Sequence, residues 1–137
     1  MLPGRMNPMT GLKKILVIDD DPDFVASIGA LLSFSGYSVL SASDGQEGLH
    51  QARKLRPDLI LLDIMMRDPR EGVSLLQELR SEACRIPVIV ISSIYSDELS
   101  FRESPDSGWL PADLFMSKPV DPSSLLEAIR RLLGENP

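Results

Sequence analysis

Five short apolar runs, separated by stretches of helical periodicity, constrain this chain more than any other feature of its sequence. The runs are Ile15-Leu16-Val17-Ile18, a weaker Ser38-Val39-Leu40-Ser41, Leu59-Ile60-Leu61-Leu62, Val88-Ile89-Val90-Ile91 and Leu114-Phe115-Met116. About four consecutive apolar residues, rich in Ile and Val, suit strands covered on both faces, as in a parallel sheet. A half-exposed antiparallel strand alternates apolar and polar residues instead.

The intervening segments carry apolar stripes at helical spacing. Phe24, Val25, Ile28, Leu31 and Leu32 form the first, opened by the cap and proline of Asp21-Pro22 and placed to end at Gly36. A second segment opens at Asp44, with Glu47 three residues on, and turns Leu49, Ala52 and Leu55 inward. A third carries Val73, Leu76, Leu79 and Ala83. The last starts at Asp121-Pro122 and aligns Leu125, Leu126, Ile129, Leu132 and Leu133. Repeated strand–helix alternation predicts an α/β domain: one five-stranded parallel sheet with helices on both faces. The stretch from Ser92 to Lys118 is less regular, broken by Pro105, Gly108 and Pro111, so it predicts only a short helix near Tyr95 to Phe101. Residues 1–12 read as a flexible leader, 13–134 as the domain and 135–137 as a C-terminal tail.

Composition removes several functions. At 137 residues, 43% hydrophobic and 25% charged, the chain has the size and balance of one globular domain. A single cysteine, Cys84, excludes an internal disulfide framework and a Cys-rich zinc site, and it reads as a small apolar residue. The lone histidine, His50, excludes a multi-histidine metal site and reads as an exposed helix residue. Trp109 reads as a loop residue filling a gap. Twenty acidic against 14 basic side chains give a net charge of −6, which opposes direct nucleic-acid binding. No apolar run reaches the roughly 18 residues of a membrane span, and the N-terminus lacks a signal-peptide apolar region. The expected location is cytoplasmic.

The residues that end the runs carry the chemistry. The first run ends in Asp19-Asp20-Asp21, the third in Asp63, the fourth in Ser92-Ser93 and the fifth in Ser117-Lys118. All strand C-termini of a parallel sheet open on one edge, where ligands bind. Carboxylates, a hydroxyl and an ammonium scattered over a hundred-residue stretch are thereby expected on one rim. Two carboxylates about 4 Å apart repel by roughly 4 kcal/mol at an effective dielectric near 20, so such a cluster raises a pKa or holds a cation. A hard, oxygen-preferring ion such as Mg²⁺ suits it. Lys118 supplies a compact charge for a phosphate oxygen, and Ser92 a hydrogen bond. A carboxylate can act as a nucleophile towards phosphorus, and Asp63 is the central candidate. Asp21, before Pro22, is expected to be a helix cap.

The segments ILVIDDDP (Ile15 to Pro22), PDLILLDIMM (Pro57 to Met66), EGVSLLQELR (Glu71 to Arg80), IPVIVISS (Ile86 to Ser93) and FMSKPVDP (Phe115 to Pro122) occur in order. Through them the chain resembles the receiver domains of two-component response regulators, from Lys13 to Leu133. The resemblance implies a flavodoxin-like (CheY-like) three-layer sandwich with sheet order 2-1-3-4-5. It implies that Asp63 accepts a phosphoryl group from a histidine kinase or phosphotransfer protein, assisted by Lys118 and Ser92. Asp20 and Asp63 would bind Mg²⁺, Asp19 would help through water, and the backbone carbonyl of Met65 would complete the protein ligands. Ser92 and Phe115 would be the switch residues, and Lys118-Pro119 would be joined by a cis peptide bond. Two departures from the family pattern stand out. The loop through Arg67-Asp68-Pro69-Arg70 to Gly72 is one residue longer than usual, and the 92–118 stretch is atypical.

These features predict a signalling module rather than an enzyme, its only reactions being Mg²⁺-dependent self-phosphorylation and slow dephosphorylation. Met65 and Ile94, two positions after Asp63 and Ser92, cannot orient a hydrolytic water, so a long-lived acyl phosphate is expected. The output partner and the oligomeric state are not readable from the chain. One alternative is an aspartate-nucleophile phosphohydrolase, in which a second aspartate would stand at Met65. Another is a phosphorylation-independent pseudo-receiver, whose usual loss of acceptor or lysine is not seen. A P-loop kinase is excluded because G-x-x-x-x-G-K-[ST] does not follow the first run.

Overall fold

The structure, a computed structural model, describes residues 12–64, 69–82, 85–92 and 112–135. Its strands are β1 (Lys14–Ile18), β2 (Ser38–Ala42), β3 (Leu59–Asp63), β4 (Val88–Ser92) and β5 (Leu114–Ser117). The helices among the described residues are α1 (Pro22–Phe34), α2 (Gly45–Leu55), α3 (Pro69–Ser81) and α4 (Pro122–Leu132). Met65, Met66, Ala83, Cys84, Ser93, Ile94, Trp109, residues 1–11 and the short helix expected at Tyr95 to Phe101 lie outside the described residues.

All strand pairs are parallel, and the sheet order is β2-β1-β3-β4-β5. Side chains alternate across a strand, which divides the core in two. Leu16, Ile18, Ile60, Leu62, Val88 and Val90 face one side, packed with Leu75, Leu76 and Leu79 of α3 and Ala52 of α2. Ile15, Val17, Leu59, Leu61, Ile89 and Ile91 face the other, against Ile28 and Leu32 of α1 and Leu125, Ala128 and Ile129 of α4. The three layers expected from the resemblance are therefore present. The central β3 and β4 are buried throughout, whereas β2 and β5 are half-buried because they form the edges. Their weaker apolar runs have the same cause.

Local sequence sets the helix ends. Asp21, Asp44 and Asp121 are N-caps whose carboxylates accept from Asp23 N, Glu47 N and Ser124 N, and proline opens both α1 and α4. The Asp44/Glu47 pair is not a reciprocal box: the Glu47 carboxylate accepts instead from Ser43 N, at 3.0 Å. Leu49 and Leu55 of α2 are half-buried, and only Ala52 of that expected trio is fully inside. Helix α1 ends in a Schellman motif: Gly36 N donates to Ser33 O and Tyr37 N to Leu32 O, with Gly36 at φ 99°.

A polar clamp fixes where the chain enters β5. The Asp113 carboxylate accepts from Val88 N and from Arg80 Nη2, both at 2.8 Å, while Arg80 Nη1 donates to Ile86 O at 2.8 Å. This clamp sits at the end of the sheet opposite Lys118 and sets the strand that carries the lysine. Replacing Asp113 by alanine leaves the Val88 N–H without its carboxylate, at a cost of about 1–3 kcal/mol. Urea unfolding of Asp113→Ala is expected to show that loss in its midpoint.

Candidate functional site

Sheet register gathers the polar residues. Ile18 lies opposite Leu62, so Asp19 and Asp63 come level at the ends of adjacent strands. Asp63 pairs with Ile91 and Ser92 with Ser117, which puts Ser92 and Lys118 on the same rim. The rim is held by backbone bonds, Asp19 N donating to Ala42 O and Lys118 N to Ser92 O. Asp19, Asp63 and Ser92 are the buried polar residues among those described, at 2%, 6% and 4% exposure. Three polar side chains so withdrawn from water are out of place in a merely solvated turn.

Lys118 spans the pocket. Its ammonium donates to Asp19 Oδ2 at 2.9 Å and to Asp63 Oδ2 at 3.4 Å. Adjacent strands are about 4.8 Å apart, so reaching across β4 to β3 and β1 requires a long stem. The other Asp19 oxygen, Oδ1, accepts from Asp21 N at 2.9 Å. Carboxylate oxygens of Asp19, Asp20 and Asp63 all lie within 4.8 Å of one another, with Asp20 half-buried. Such hard oxygen donors are what a divalent cation of the Mg²⁺ type takes, and the group can hold a metal ion. The Lys118-Pro119 bond is cis, as the resemblance implies.

Burial is the largest single influence on the Lys118 ammonium and disfavours its charge. The hydrogen bond to Asp19 and the charges of Asp63 and Asp19 outweigh it, so the pKa is raised above its usual 10.5. A pKa raised by folding gives stability that is complete below the unfolded value and lost as pH rises through the folded one. The gap in unfolding free energy between the wild type and Lys118→Met is therefore expected to hold steady from pH 7 to about 9.5. It should narrow only above about pH 10.5. Urea midpoints across that range check it.

Phe24 was expected only as part of the α1 core stripe. In the first turn of α1 it also presents its ring to the lysine, with Lys118 Nζ 4.1 Å from the ring centroid. A hint was available, because Asp21-Pro22 starts this helix at the rim and keeps its first turn beside the pocket. Phe115, the expected switch residue, is half-buried and packed on the α2/α3 side of the core. His50 is exposed, as expected. Met65, the remaining expected ligand, lies outside the described residues. Gly72 touches the site's support directly. A Cβ there would stand 3.1 Å from both Ile64 Cα and Ile64 O, so the start of α3 packs on the residue after Asp63 despite the longer loop. Beside the pocket runs an apolar groove of about 510 Å³, lined in part by Phe24, Ile28, Leu31, Pro119 and Val120.

The family model of the response regulator receiver domain matches residues 15–130. The chain belongs to that family. It is 39% identical over 122 residues to the response regulator MprA of Mycobacterium leprae, covering 88% of this chain and 50% of that protein. It is 34% identical over 122 residues to the alkaline phosphatase synthesis transcriptional regulatory protein PhoP of Bacillus subtilis, covering 88% and 48%. This chain thus spans about half the length of these curated relatives. Among solved structures it is similar to a CheY-like receiver domain protein from Methanospirillum hungatei, with a TM-score of 0.78 at 35% identity, covering 90% and 95% of the two chains. The N-terminal receiver domain of Klebsiella pneumoniae RstA matches with a TM-score of 0.77 at 29% identity, covering 88% and 98%. As a receiver domain, the chain is a phosphoacceptor module of two-component signalling. No helix among the described residues is long and apolar enough to cross a membrane.

Proposed function

We propose that Asp63 is the phosphoacceptor, that Asp20 and Asp63 ligate Mg²⁺ directly, and that Asp19 acts on the ion through water. The observation that carries this reading is the sharing of one ammonium between two nearly buried carboxylates, within a group of three. Both oxygens of Asp19 already accept hydrogen bonds, from Asp21 N and from Lys118, which favours an indirect role for it. The backbone carbonyl of Met65 is the further ligand proposed. When bound, the ion supplies positive charge to the transferring phosphoryl oxygens.

The residues of the chain do the rest. An Asp63 carboxylate oxygen forms the new O–P bond as the bond from phosphorus to the leaving group breaks, and the leaving group departs with the electron pair. The donor is the phosphoimidazole of a histidine kinase or phosphotransfer protein, or a small acyl phosphate. Lys118 offsets charge on the phosphoryl oxygens, and Ser92 donates a hydrogen bond to one of them. The phosphoryl group adds about −1.5 to −2 charge to a pocket already rich in carboxylates. Ser92 and Phe115 couple that change to the surface read by an output partner. The apolar groove beside Lys118 is where the donor protein would lie against α1. The module acts as a cytoplasmic switch rather than a turnover enzyme, and the apolar Met65 and Ile94 favour a long-lived acyl phosphate. Incubation with acetyl phosphate and Mg²⁺, followed by borohydride reduction and peptide mapping, tests the assignment. The reduced residue is expected at position 63, and its appearance at any other carboxylate would overturn the reading.

A further inference from the structure

Besides the carboxylates of Asp19 and Asp63, the Lys118 ammonium has a neighbour that carries no charge. The face of Phe24 lies 4.1 Å from Nζ, opposite a site where the lysine side chain is only 19% exposed. An aromatic face attracts a cation through its quadrupole, and more strongly where water is excluded. Unlike a hydrogen-bond acceptor, the ring has no single point of attachment. An ammonium can move across it and stay attracted throughout.

That property matters because the lysine cannot keep its present contacts during transfer. Here it donates to Asp19 Oδ2 and Asp63 Oδ2. Once Asp63 bonds to phosphorus, the charge to be offset lies on the phosphoryl oxygens, further from the sheet edge. We propose that Phe24 is a positioning residue for phosphoryl transfer, its ring holding the Lys118 ammonium over the pocket while the ammonium passes from the carboxylates to the phosphoryl group. This rests on the reading of Asp63 as acceptor. The capped start of α1 fixes the backbone that carries the ring: the Asp21 carboxylate accepts from Asp23 N at 3.0 Å, and Val25 N donates to Asp21 O at 3.1 Å, which bracket Phe24 in the first turn. Ile28 and Leu31, one and two turns on, line the same groove as the ring.

The test separates the charge of the ring from its bulk. Phenylalanines bearing one, two and three fluorines, placed at position 24 alone, keep the shape while draining the quadrupole. The initial rate of labelling by acetyl phosphate in saturating Mg²⁺ is expected to fall stepwise along the series, by about five-fold overall. Phe24→Leu is expected to lose a similar factor and Phe24→Trp to stay within about two-fold of the wild type, with urea midpoints unchanged across the fluorinated set. In the metal-free protein, NMR is expected to show upfield ring-current shifts of the Lys118 Cε protons that vanish in Phe24→Leu. A flat rate across the fluorinated series would overturn the proposal, since the ring would then be packing only. Unshifted Cε protons in the wild type would overturn it independently of phosphorylation. Failure of the unmodified protein to label would instead overturn the acceptor reading, and the proton shifts would still report whether the ring holds the ammonium.

Discussion

Asp63→Ala is expected to abolish labelling by acetyl phosphate in Mg²⁺ while leaving the fold at least as stable as the wild type. The first outcome follows from chemistry. The acyl phosphate forms on one oxygen, and neither neighbouring carboxylate is equivalent: Asp19 is occupied at both oxygens, and Asp20 stands on the next strand's exit rather than mid-sheet. The second follows from electrostatics. Asp63 is 6% exposed, shares a 4.8 Å group with two other carboxylates and shares the Lys118 ammonium with Asp19. Like charges at about 4 Å repel by roughly 4 kcal/mol at an effective dielectric near 20, and removing one relieves that repulsion. Measuring label and urea midpoint on the same sample distinguishes loss of the acceptor from loss of the fold. Full labelling of the variant would remove Asp63 from the mechanism.

Lys118→Met is expected to have the opposite effect on stability. Removing one partner from a buried ion pair leaves charge without compensation, and such changes cost about 3–5 kcal/mol. Here two carboxylates lose their ammonium together, and methionine keeps most of the apolar stem in place. Typical domains are stable by about 5–15 kcal/mol, so the variant is expected to unfold at markedly lower urea concentration. Millimolar Mg²⁺ should recover part of the loss, because on the proposed reading a cation ligated by Asp20 and Asp63 would replace the missing charge. A wild-type midpoint in metal-free buffer would show that the carboxylates do not depend on the lysine. Labelling should fall with the substitution in every condition, since the phosphoryl oxygens lose their cationic partner.

Much of this molecule was legible before any fold was drawn. The apolar runs of β1, β3 and β4 are unbroken because helices cover both faces of those strands, and burial on both faces leaves no polar alternation. Asp21 and Asp121 announce their helices because a carboxylate before proline satisfies free N–H groups at a first turn. The order of the sheet came from the matched segments, and the register then brought their terminal residues level.

Other features depend on contacts that no local pattern encodes. Lys118 and Asp19 are 99 positions apart, and only the stacking of β5, β4, β3 and β1 decides which carboxylates the ammonium meets. Phe24 reads as one more member of an apolar stripe until its helix is docked with the ring above the lysine. Gly72 reads as displaced by an insertion until α3 is seen against Ile64. The sequence by itself determined the strands, the helix caps and the residue types at the strand ends, because periodicity and capping are short-range. Only the tertiary structure decided which charge pairs with which, because Coulomb and dispersion forces act on distance in space and take no account of distance along the chain.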